Sequence, residues 1–213
     1  MQSGEITIPV DGVQLEGNLE IPQGATGLVL FAHGSGSSRK SPRNNFVAER
    51  LRDFGLGTLL FDLLTEDEDS VYENRFDIGL LTDRLVSVTE WVKTRTEKSD
   101  YPLGYFGSST GAAAALRAAA RYPAVGAVVS RGGRVDLATA VLDEVSAPTL
   151  FIVGGQDTQV LELNREAHAQ LTCEKELEIV DGAGHLFSES GVLETVANLT
   201  GEWFASKLSL RKE

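Results

Sequence analysis

The stretch Leu103–Tyr122, LGYFGSSTGAAAALRAAARY, decides the fold, because an apolar run passes through a short glycine-serine turn directly into an alanine-rich segment. The run LGYF is typical of a buried strand, and the alanine-rich segment is typical of a helix. The turn between them, GSSTG (107–111), matches the pattern Gly-x-Ser-x-Gly in a strand–turn–helix setting. A reversal in so few residues predicts a strained backbone at Ser109. It also predicts that side chains at Gly107 or Gly111 would collide with neighbouring backbone.

On either side of this stretch the chain alternates between strands and helices. Short apolar runs, typical of parallel strands covered on both faces, occur in GLVLFAH, GTLLFDLL, VGAVVS, PTLFIVGG and LEIV. Helical spacing of apolar residues predicts helices at Arg43–Phe54, Asp77–Arg95, Thr110–Arg121, Thr158–Ala169 and from about Gly191 onward. Near the start, ITIPV and VQLEGNLEI flank a tight turn and predict a hairpin.

This order of elements predicts an α/β fold. We expect a mostly parallel central sheet with an N-terminal antiparallel hairpin, helices on both faces and little or no lid domain. We also expect residues 1–213 to form a single domain. In such sheets, ligands bind at the carboxyl ends of the strands, and the chemically suggestive residues of this chain fall just after apolar strands.

The composition excludes several classes of protein. The formal net charge is −12, with 31 acidic against 19 basic residues, whereas nucleic acid requires clustered Lys and Arg. The apolar runs are far shorter than the roughly 20 residues that cross a bilayer. The opening residues MQSGEITIPVDG lack the parts of a secretory signal, and the single cysteine, Cys173, fits a reducing compartment. We therefore expect a cytoplasmic protein without nucleic-acid or membrane partners.

Ser109 has the surroundings of a nucleophile. The helix that follows directs its N-terminal N–H groups and the positive end of its dipole at the turn, where negative charge would develop in a reaction. The structural alternative is a glycine-serine turn that only caps this helix, with Ser108 or Thr110 as the cap. The position after a buried strand in the middle of the chain favours the nucleophile.

The turn HGSGSS (33–38), which follows the strand GLVLFA, predicts an oxyanion hole. A loop of this type supplies one backbone N–H, and the residue after the nucleophile supplies the other, so we assign the donors to Ser35 and Thr110. Gly34 and Gly36 would let the backbone approach a substrate closely and are candidate substrate-binding positions. A phosphate cradle fits poorly, because the loop lacks the glycine and lysine pattern of nucleotide-binding loops.

Two residues after later strands complete the predicted catalytic set. His185 follows the strand LEIV in the loop GAGH and is the candidate base. Asp157 follows PTLFIVGG, where an acid could orient the imidazole and stabilise the imidazolium. The order Ser109, Asp157, His185 is the order of the α/β-hydrolase triad. Asp157 could instead cap the helix that begins near Thr158, and Asp136, after the strand AVVS, is the rival for the acid.

Four stretches together carry a family resemblance: HGSGSS, GYFGSSTG, VGGQDTQV and GAGHLF. They resemble the α/β-hydrolase superfamily, and the chain's size and limited insertions resemble its dienelactone-hydrolase-like branch. The resemblance covers nearly the whole chain. In dienelactone hydrolases proper the nucleophile is a cysteine, whereas Ser109 stands here. This departure favours general ester hydrolysis over hydrolysis of dienelactone itself.

Arg131 is a candidate substrate-binding residue, because it lies at the carboxyl end of a predicted strand. A guanidinium there could hold a substrate carboxylate or phosphate. It could equally brace its own loop through Asp136 or another acid, and both interpretations stay open. Arg39 and Arg43, beyond the oxyanion loop, raise the same possibility more weakly.

The remaining candidates receive structural interpretations. The acidic run EDED (66–69) predicts a solvated loop rather than a metal site, because metal ligands must surround one point. Whether the loop after Asp62 closes over the site stays open. Structural or bystander roles are expected for His33, Asp62, His168 and Cys173.

These residues predict a serine hydrolase that cleaves small esters or thioesters by two-step acyl transfer, without cofactor or metal. An amidase or lactone hydrolase with the same triad is an alternative, and a non-catalytic binding module on a hydrolase fold is a further one. The short segment before Asp157 leaves no room for a lid, so we expect an open pocket and a small-molecule ester as partner. The oligomeric state, monomer or homodimer, stays open.

Overall fold

A computed structural model describes residues 3–95 and 101–208. Its strands are β1 Gly4–Val10, β2 Val13–Glu20, β3 Gly27–Ala32, β4 Leu56–Phe61, β5 Leu103–Ser108, β6 Val125–Arg131, β7 Thr149–Gly154 and β8 Lys175–Val180. They form one eight-stranded sheet in the order β1-β2-β4-β3-β5-β6-β7-β8. β2 pairs antiparallel with both β1 and β4, and the other neighbouring strands are parallel. The predicted sheet with its N-terminal hairpin is therefore confirmed.

The helices cover both faces of this sheet. They are α1 Pro42–Asp53, α2 Glu66–Ser70, α3 Ile78–Arg95, α4 Thr110–Arg121, α5 Thr158–Gln170 and α6 Val192–Lys207. One core lies between the sheet, α3 and α4, and a second lies between the opposite face, α1 and α6. The five helices predicted from the sequence correspond to α1, α3, α4, α5 and α6, and the predicted bounds agree with the observed bounds to within one residue.

Burial on both faces explains why the parallel strands are continuous apolar runs. Each residue of β3, β4, β5 and β7 is buried. In β1 the burial alternates toward its end, because this strand lies at the edge of the sheet. The hairpin turn has positive φ angles at Asp11 (51°) and Gly12 (78°), the backbone that a tight two-residue β-turn requires.

The acidic run at 66–69 is not the loop that its charge suggested. It forms the short helix α2, because Thr65 and Glu68 make a capping box: each side chain accepts a hydrogen bond from the other residue's backbone N–H. The acidic residues also face the positive end of the helix dipole. Arg84 of α3, which is 5% exposed, then pairs with Glu68 and with Asp11 of the hairpin turn. A 3-10 helix, Tyr72–Phe76, follows directly.

A second 3-10 helix, Val135–Glu144, fills the connection between β6 and β7. This connection holds no inserted domain, in agreement with the prediction. Within the ranges 3–95 and 101–208, no helix is both long enough and apolar enough to cross a membrane.

We expect Gly111→Ala to lower the free energy of unfolding by about 3 kcal/mol, measured by urea titration. A Cβ at this position would overlap the carbonyl oxygens of Ala32 and His33, which belong to rigid backbone. Gly79→Ala in α3 is the control, because its Cβ would meet only the Asp77 side chain, at 3.1 Å. The control should stay within about 1 kcal/mol of the wild type. Equal stability of both variants would contradict this account of the turn.

We expect the stabilisation by Glu68 to depend on pH. Partial burial acts to raise the pKa of Glu68, but the Thr65 N–H and the Arg84 guanidinium outweigh it and hold the pKa below the ordinary 4.5. A carboxylate with a lowered pKa stabilises the fold above its unfolded pKa, and this contribution is lost as the pH falls through the folded value.

The measurement compares the wild type with Glu68→Gln in urea titrations at neutral and acid pH. The wild type should be the more stable at neutral pH, and the difference should shrink as the pH falls below 4.5. Glu66→Gln on the same helix, whose side chain is exposed, should show a smaller difference. A difference that stays constant with pH would refute the role of the charged Glu68.

Candidate active site

Ser109 lies at the turn between β5 and α4 in a strained conformation. Its φ is 51° and its ψ is −121°, a combination that a non-glycine residue adopts only where the surroundings enforce it. Ser109 is the N-cap residue of α4, yet its side chain makes no capping hydrogen bond. The Ser109 hydroxyl is therefore not used as a helix cap; the structural alternative for this turn named Ser108 or Thr110 as the cap, whereas the N-cap residue is Ser109.

The flanking glycines are required by space, as predicted. A Cβ on Gly107 would overlap the backbone of Gly111 and Ala112, and a Cβ on Gly111 would overlap the Ala32 and His33 carbonyls. At these two positions the strand, the turn and the helix are therefore in direct backbone-to-backbone contact. This contact is what makes so tight a reversal possible.

The end of β6 and the loop after it form hydrogen bonds with the backbone N–H and the backbone carbonyl of Ser109. The Ser109 N–H donates to the Arg131 carbonyl (3.2 Å), and the Arg134 N–H donates to the Ser109 carbonyl (3.0 Å). The Ala112 N–H also donates to the Ser109 carbonyl, at 3.1 Å. These bonds from rigid neighbours maintain the unfavourable φ of Ser109.

His185 and Asp157 form a direct pair. The His185 Nδ1 and Asp157 Oδ2 atoms are 2.6 Å apart, and the two side chains are 39% and 15% exposed. Asp157 is the N-cap residue of α5 but makes no capping hydrogen bond, so its carboxylate is committed to the imidazole. The rival acid, Asp136, instead binds Arg134 through two hydrogen bonds of 2.9 and 2.8 Å.

Backbone contacts between the loops after β7 and β8 bring this pair together. The Gln156 N–H donates to the Ala183 carbonyl, and the Gly155 N–H donates to the Val180 carbonyl, each at 2.9 Å. A Cβ on Gly154 would overlap the carbonyls of Ala183 and its neighbour. The glycines that follow β7 are thus the contact surface for the loop that carries His185.

One open cleft unites the predicted catalytic residues. It has a volume of about 310 Å³, and its lining is Ser109, Arg134, Asp157, Gln159, Val160, Leu163 and His185. Among the described residues, no hydrogen bond joins the Ser109 hydroxyl to the His185 ring. In free enzymes such contacts are often long and shorten only in the substrate complex.

The backbone N–H of Ser35, one of the two predicted oxyanion donors, binds the side chain of Thr110, the residue that carries the other predicted donor. The Ser35 N–H donates to the Thr110 Oγ1 at 2.8 Å, so this N–H is occupied in the free protein. A Cβ on Gly34 would lie 3.1 Å from the Ser109 Cβ, which confirms the close approach of this loop to the turn. Gly34, Ser35 and Gly36 line a separate small cavity together with Leu64, rather than the cleft of Ser109.

His33 holds the oxyanion loop in place, as predicted. Its Nδ1 lies 3.0 Å from the Gly34 carbonyl, and its Nε2 lies 3.1 Å from the Leu63 N–H. With Nε2 accepting, the ring is neutral and Nδ1 donates. Burial lowers the pKa of His33, against the opposing effect of the Gly34 carbonyl, and so favours this neutral form.

Arg131 lies inside the protein rather than in the cleft. Its guanidinium carbon is 5.7 Å from the Phe106 ring centroid and 6.0 Å from that of Phe187, and the residue is 8% exposed. Burial, together with the charge of Arg43, lowers the pKa of Arg131 to about 10. Within the described ranges its Nη1 has no hydrogen-bond partner. Arg134, three residues further on, is the arginine that lines the cleft.

The other candidates have structural surroundings. Asp62 accepts hydrogen bonds from the backbone and guanidinium of Arg39. Burial, and then Lys175, lower the pKa of His168 on α5, and burial raises the pKa of the Cys173 thiol. Across residues 3–95 and 101–208, no three metal-ligating side chains gather around one point.

Sequence reasoning missed four cleft residues: Arg134, Gln159, Val160 and Leu163. The last three lie on the first turns of α5, directly after Asp157. Their helical spacing beside a candidate acid was a usable signal. For Arg134 the motif RGGR offered two arginines, and only the path of the loop decided which one faces the cleft.

Comparison with known proteins agrees with this fold. The model of the dienelactone hydrolase family matches residues 20–198. The crystal structure of a dienelactone hydrolase from Anabaena variabilis ATCC 29413 shares 54% sequence identity, with a TM-score of 0.93 over 97% of this chain and 98% of that chain. Est1E from Butyrivibrio proteoclasticus, at 18% identity and a TM-score of 0.82, covers 96% of this chain and 99% of that chain and shares the fold.

Two curated relatives carry a different name. Proteins called "Putative phosphoribosyl transferase" from two strains of Mycobacterium tuberculosis, CDC 1551 / Oshkosh and H37Rv, are 51% identical over 210 residues. The match covers 98% of this chain and 47% of each relative, so the chain spans about half the length of those proteins. The family match over most of the chain, the α/β-hydrolase sheet and the serine turn after β5 lead to one assignment: the chain belongs to the dienelactone hydrolase family of α/β hydrolases.

Proposed function

We propose that this chain is a serine hydrolase that cleaves small esters or thioesters, with Ser109 as nucleophile, His185 as base and Asp157 as its acid. The observation that carries the proposal is the pair of His185 and Asp157, 2.6 Å apart, in the same cleft as the strained Ser109. Strain at a functional position is tolerated where it serves the chemistry. Ser109 makes no capping hydrogen bond and lines the cleft, so its hydroxyl is available for attack.

The reaction proceeds by two-step acyl transfer. Asp157 accepts a hydrogen bond from His185 Nδ1–H, which leaves Nε2 to take the proton of Ser109. Ser109 Oγ then bonds to the carbonyl carbon, and the alcohol leaves with the proton from His185. Water repeats the attack on the acyl-enzyme and regenerates Ser109.

The shape of the cleft supports small substrates. Its volume of about 310 Å³ lies at the lower end of the range of ligand pockets. Val160 and Leu163 form an apolar wall, whereas Arg134 and Gln159 supply polar groups. Without an inserted lid domain between β6 and β7, the cleft is open, which favours short or soluble esters over long acyl chains.

The transferase name of the curated relatives is not the basis of this proposal. It belongs to proteins about twice as long as the match. The family match to hydrolases and the pair of His185 and Asp157 are features of this chain, which spans about half the length of those proteins.

Labelling with a fluorophosphonate probe tests the nucleophile without knowledge of the substrate. We expect the wild type to be labelled and Ser109→Ala to be unlabelled, because the probe reacts with an activated serine. Ser108→Ala is the matched control, since this neighbouring serine lies at the end of β5 and is absent from the cleft lining. No labelling of folded wild type would count against the proposal and favour a binding module.

Ester hydrolysis by Asp157→Asn tests the acid. Loss of the carboxylate should leave the imidazole in the wrong tautomer and lower kcat by about 10⁴-fold, as known for this exchange in serine proteases. The comparison is Asp136→Asn, which removes the partner of Arg134 but not that of His185. The reverse order of the two effects would assign the acid to Asp136.

A further inference from the structure

The hydroxyl of Thr110 occupies an unexpected position between the oxyanion loop and the nucleophile turn. The Ser35 N–H, expected to point at a reacting oxygen, donates to the Thr110 Oγ1 at 2.8 Å. Thr110 is the residue directly after Ser109, and it is 3% exposed. The loop N–H therefore binds a buried side-chain oxygen of the residue next to the nucleophile.

The hydroxyl proton of Thr110 has no hydrogen-bond acceptor among the described residues. A threonine hydroxyl has one donor and two acceptor positions, and Ser35 uses an acceptor position. In the part of the chain that the structure describes, no acceptor lies in hydrogen-bonding geometry with the proton. A buried hydroxyl that leaves a donor unused costs free energy in the free protein. A substrate oxygen would satisfy this donor.

We infer that the Thr110 hydroxyl is a direct donor of the oxyanion hole and that the Ser35 N–H acts behind it. The inference rests on the proposed function. The oxyanion accepts hydrogen bonds from the Thr110 N–H and from the Thr110 hydroxyl, and Ser35 continues to donate to that hydroxyl. One residue next to the nucleophile thus supplies both direct contacts.

The step balances without a further reactant. The bond from Ser109 Oγ to the carbonyl carbon forms, the Ser109 proton passes to His185 Nε2, and the carbonyl π electrons move onto the oxygen. The Thr110 donors hold that oxygen until the electrons return. The alcohol then leaves and takes the proton from His185.

The chemistry of the hydroxyl suits this role. A hydroxyl that already accepts an N–H bond is polarised and becomes a stronger donor, because chained hydrogen bonds strengthen each other. The branched Cβ of threonine restricts its side-chain rotamers, and the bond from Ser35 selects among them. The donor is therefore oriented before the substrate arrives, as stabilisation of an oxyanion requires.

The opposite interpretation is that the hydroxyl only blocks the Ser35 N–H and must turn away when substrate binds. The two interpretations differ in their predictions for valine, which has the shape of threonine without the hydroxyl. As a direct donor, the hydroxyl is needed for turnover. As a block, its removal frees the Ser35 N–H and leaves turnover equal or faster.

The experiment measures kcat and KM for p-nitrophenyl acetate with wild type, Thr110→Val and Thr110→Ser. We expect Thr110→Val to lower kcat about 10²–10³-fold, the usual effect of losing one oxyanion donor. KM should change little, because the contact forms in the transition state. Thr110→Ser keeps the hydroxyl and should remain within about tenfold of the wild type, since serine differs only in its looser rotamer.

Control variants distinguish an unfolded protein from a failure of the inference and from a failure of the proposed function. Thr94→Val, at the exposed end of α3, should match the wild type. If thermal melting shows that Thr110→Val is unfolded, Thr110→Ala takes its place and is expected to show the same loss of kcat. Turnover by a folded Thr110→Val or Thr110→Ala equal to or above the wild type overturns the inference alone. Wild-type turnover that Ser109→Ala does not abolish, or none at all, overturns the proposed function and this inference with it.

Discussion

The contact between β5, its turn and α4 is the constraint on which the rest of the structure depends. The chain reverses within five residues, and this is possible only because Gly107 and Gly111 let backbone meet backbone. The cost is the strained φ of 51° at Ser109. Hydrogen bonds from Arg134 and to Arg131 offset that strain by fixing the turn against the neighbouring loop.

The other site residues reach Ser109 because parallel strands end at one edge of the sheet. The loop after β3 brings Ser35 to Thr110, and the loops after β7 and β8 bond to each other and so join Asp157 to His185. The loops after β7 and β8 are joined backbone to backbone, whereas the Ser35 backbone N–H binds the Thr110 side chain. Hydrogen bonds between these loops fix the backbones that carry the side chains, and preorganised sites require such support.

The segment after β4 shows how local and distant interactions combine. Thr65 and Glu68 close a capping box, a pattern visible in the residues Thr-x-x-Glu. The run was nevertheless interpreted as a solvated loop, because four consecutive acids indicate solvation more strongly than a helix of one turn. Its anchor is Arg84, which links Glu68 to Asp11 of the hairpin, and no pattern in the sequence pairs these three residues.

The sequence by itself determined the order of the strands and of the helices other than α2, the hairpin, and the positions of Ser109, Asp157 and His185 after strand ends. It could do so because periodicity and glycine placement are local properties of the chain. Only the tertiary structure decided that Arg134 rather than Arg131 lines the cleft and that the Ser35 N–H meets the Thr110 hydroxyl. These features depend on the paths of loops and on side-chain rotamers, which are fixed by contacts between residues far apart in the chain.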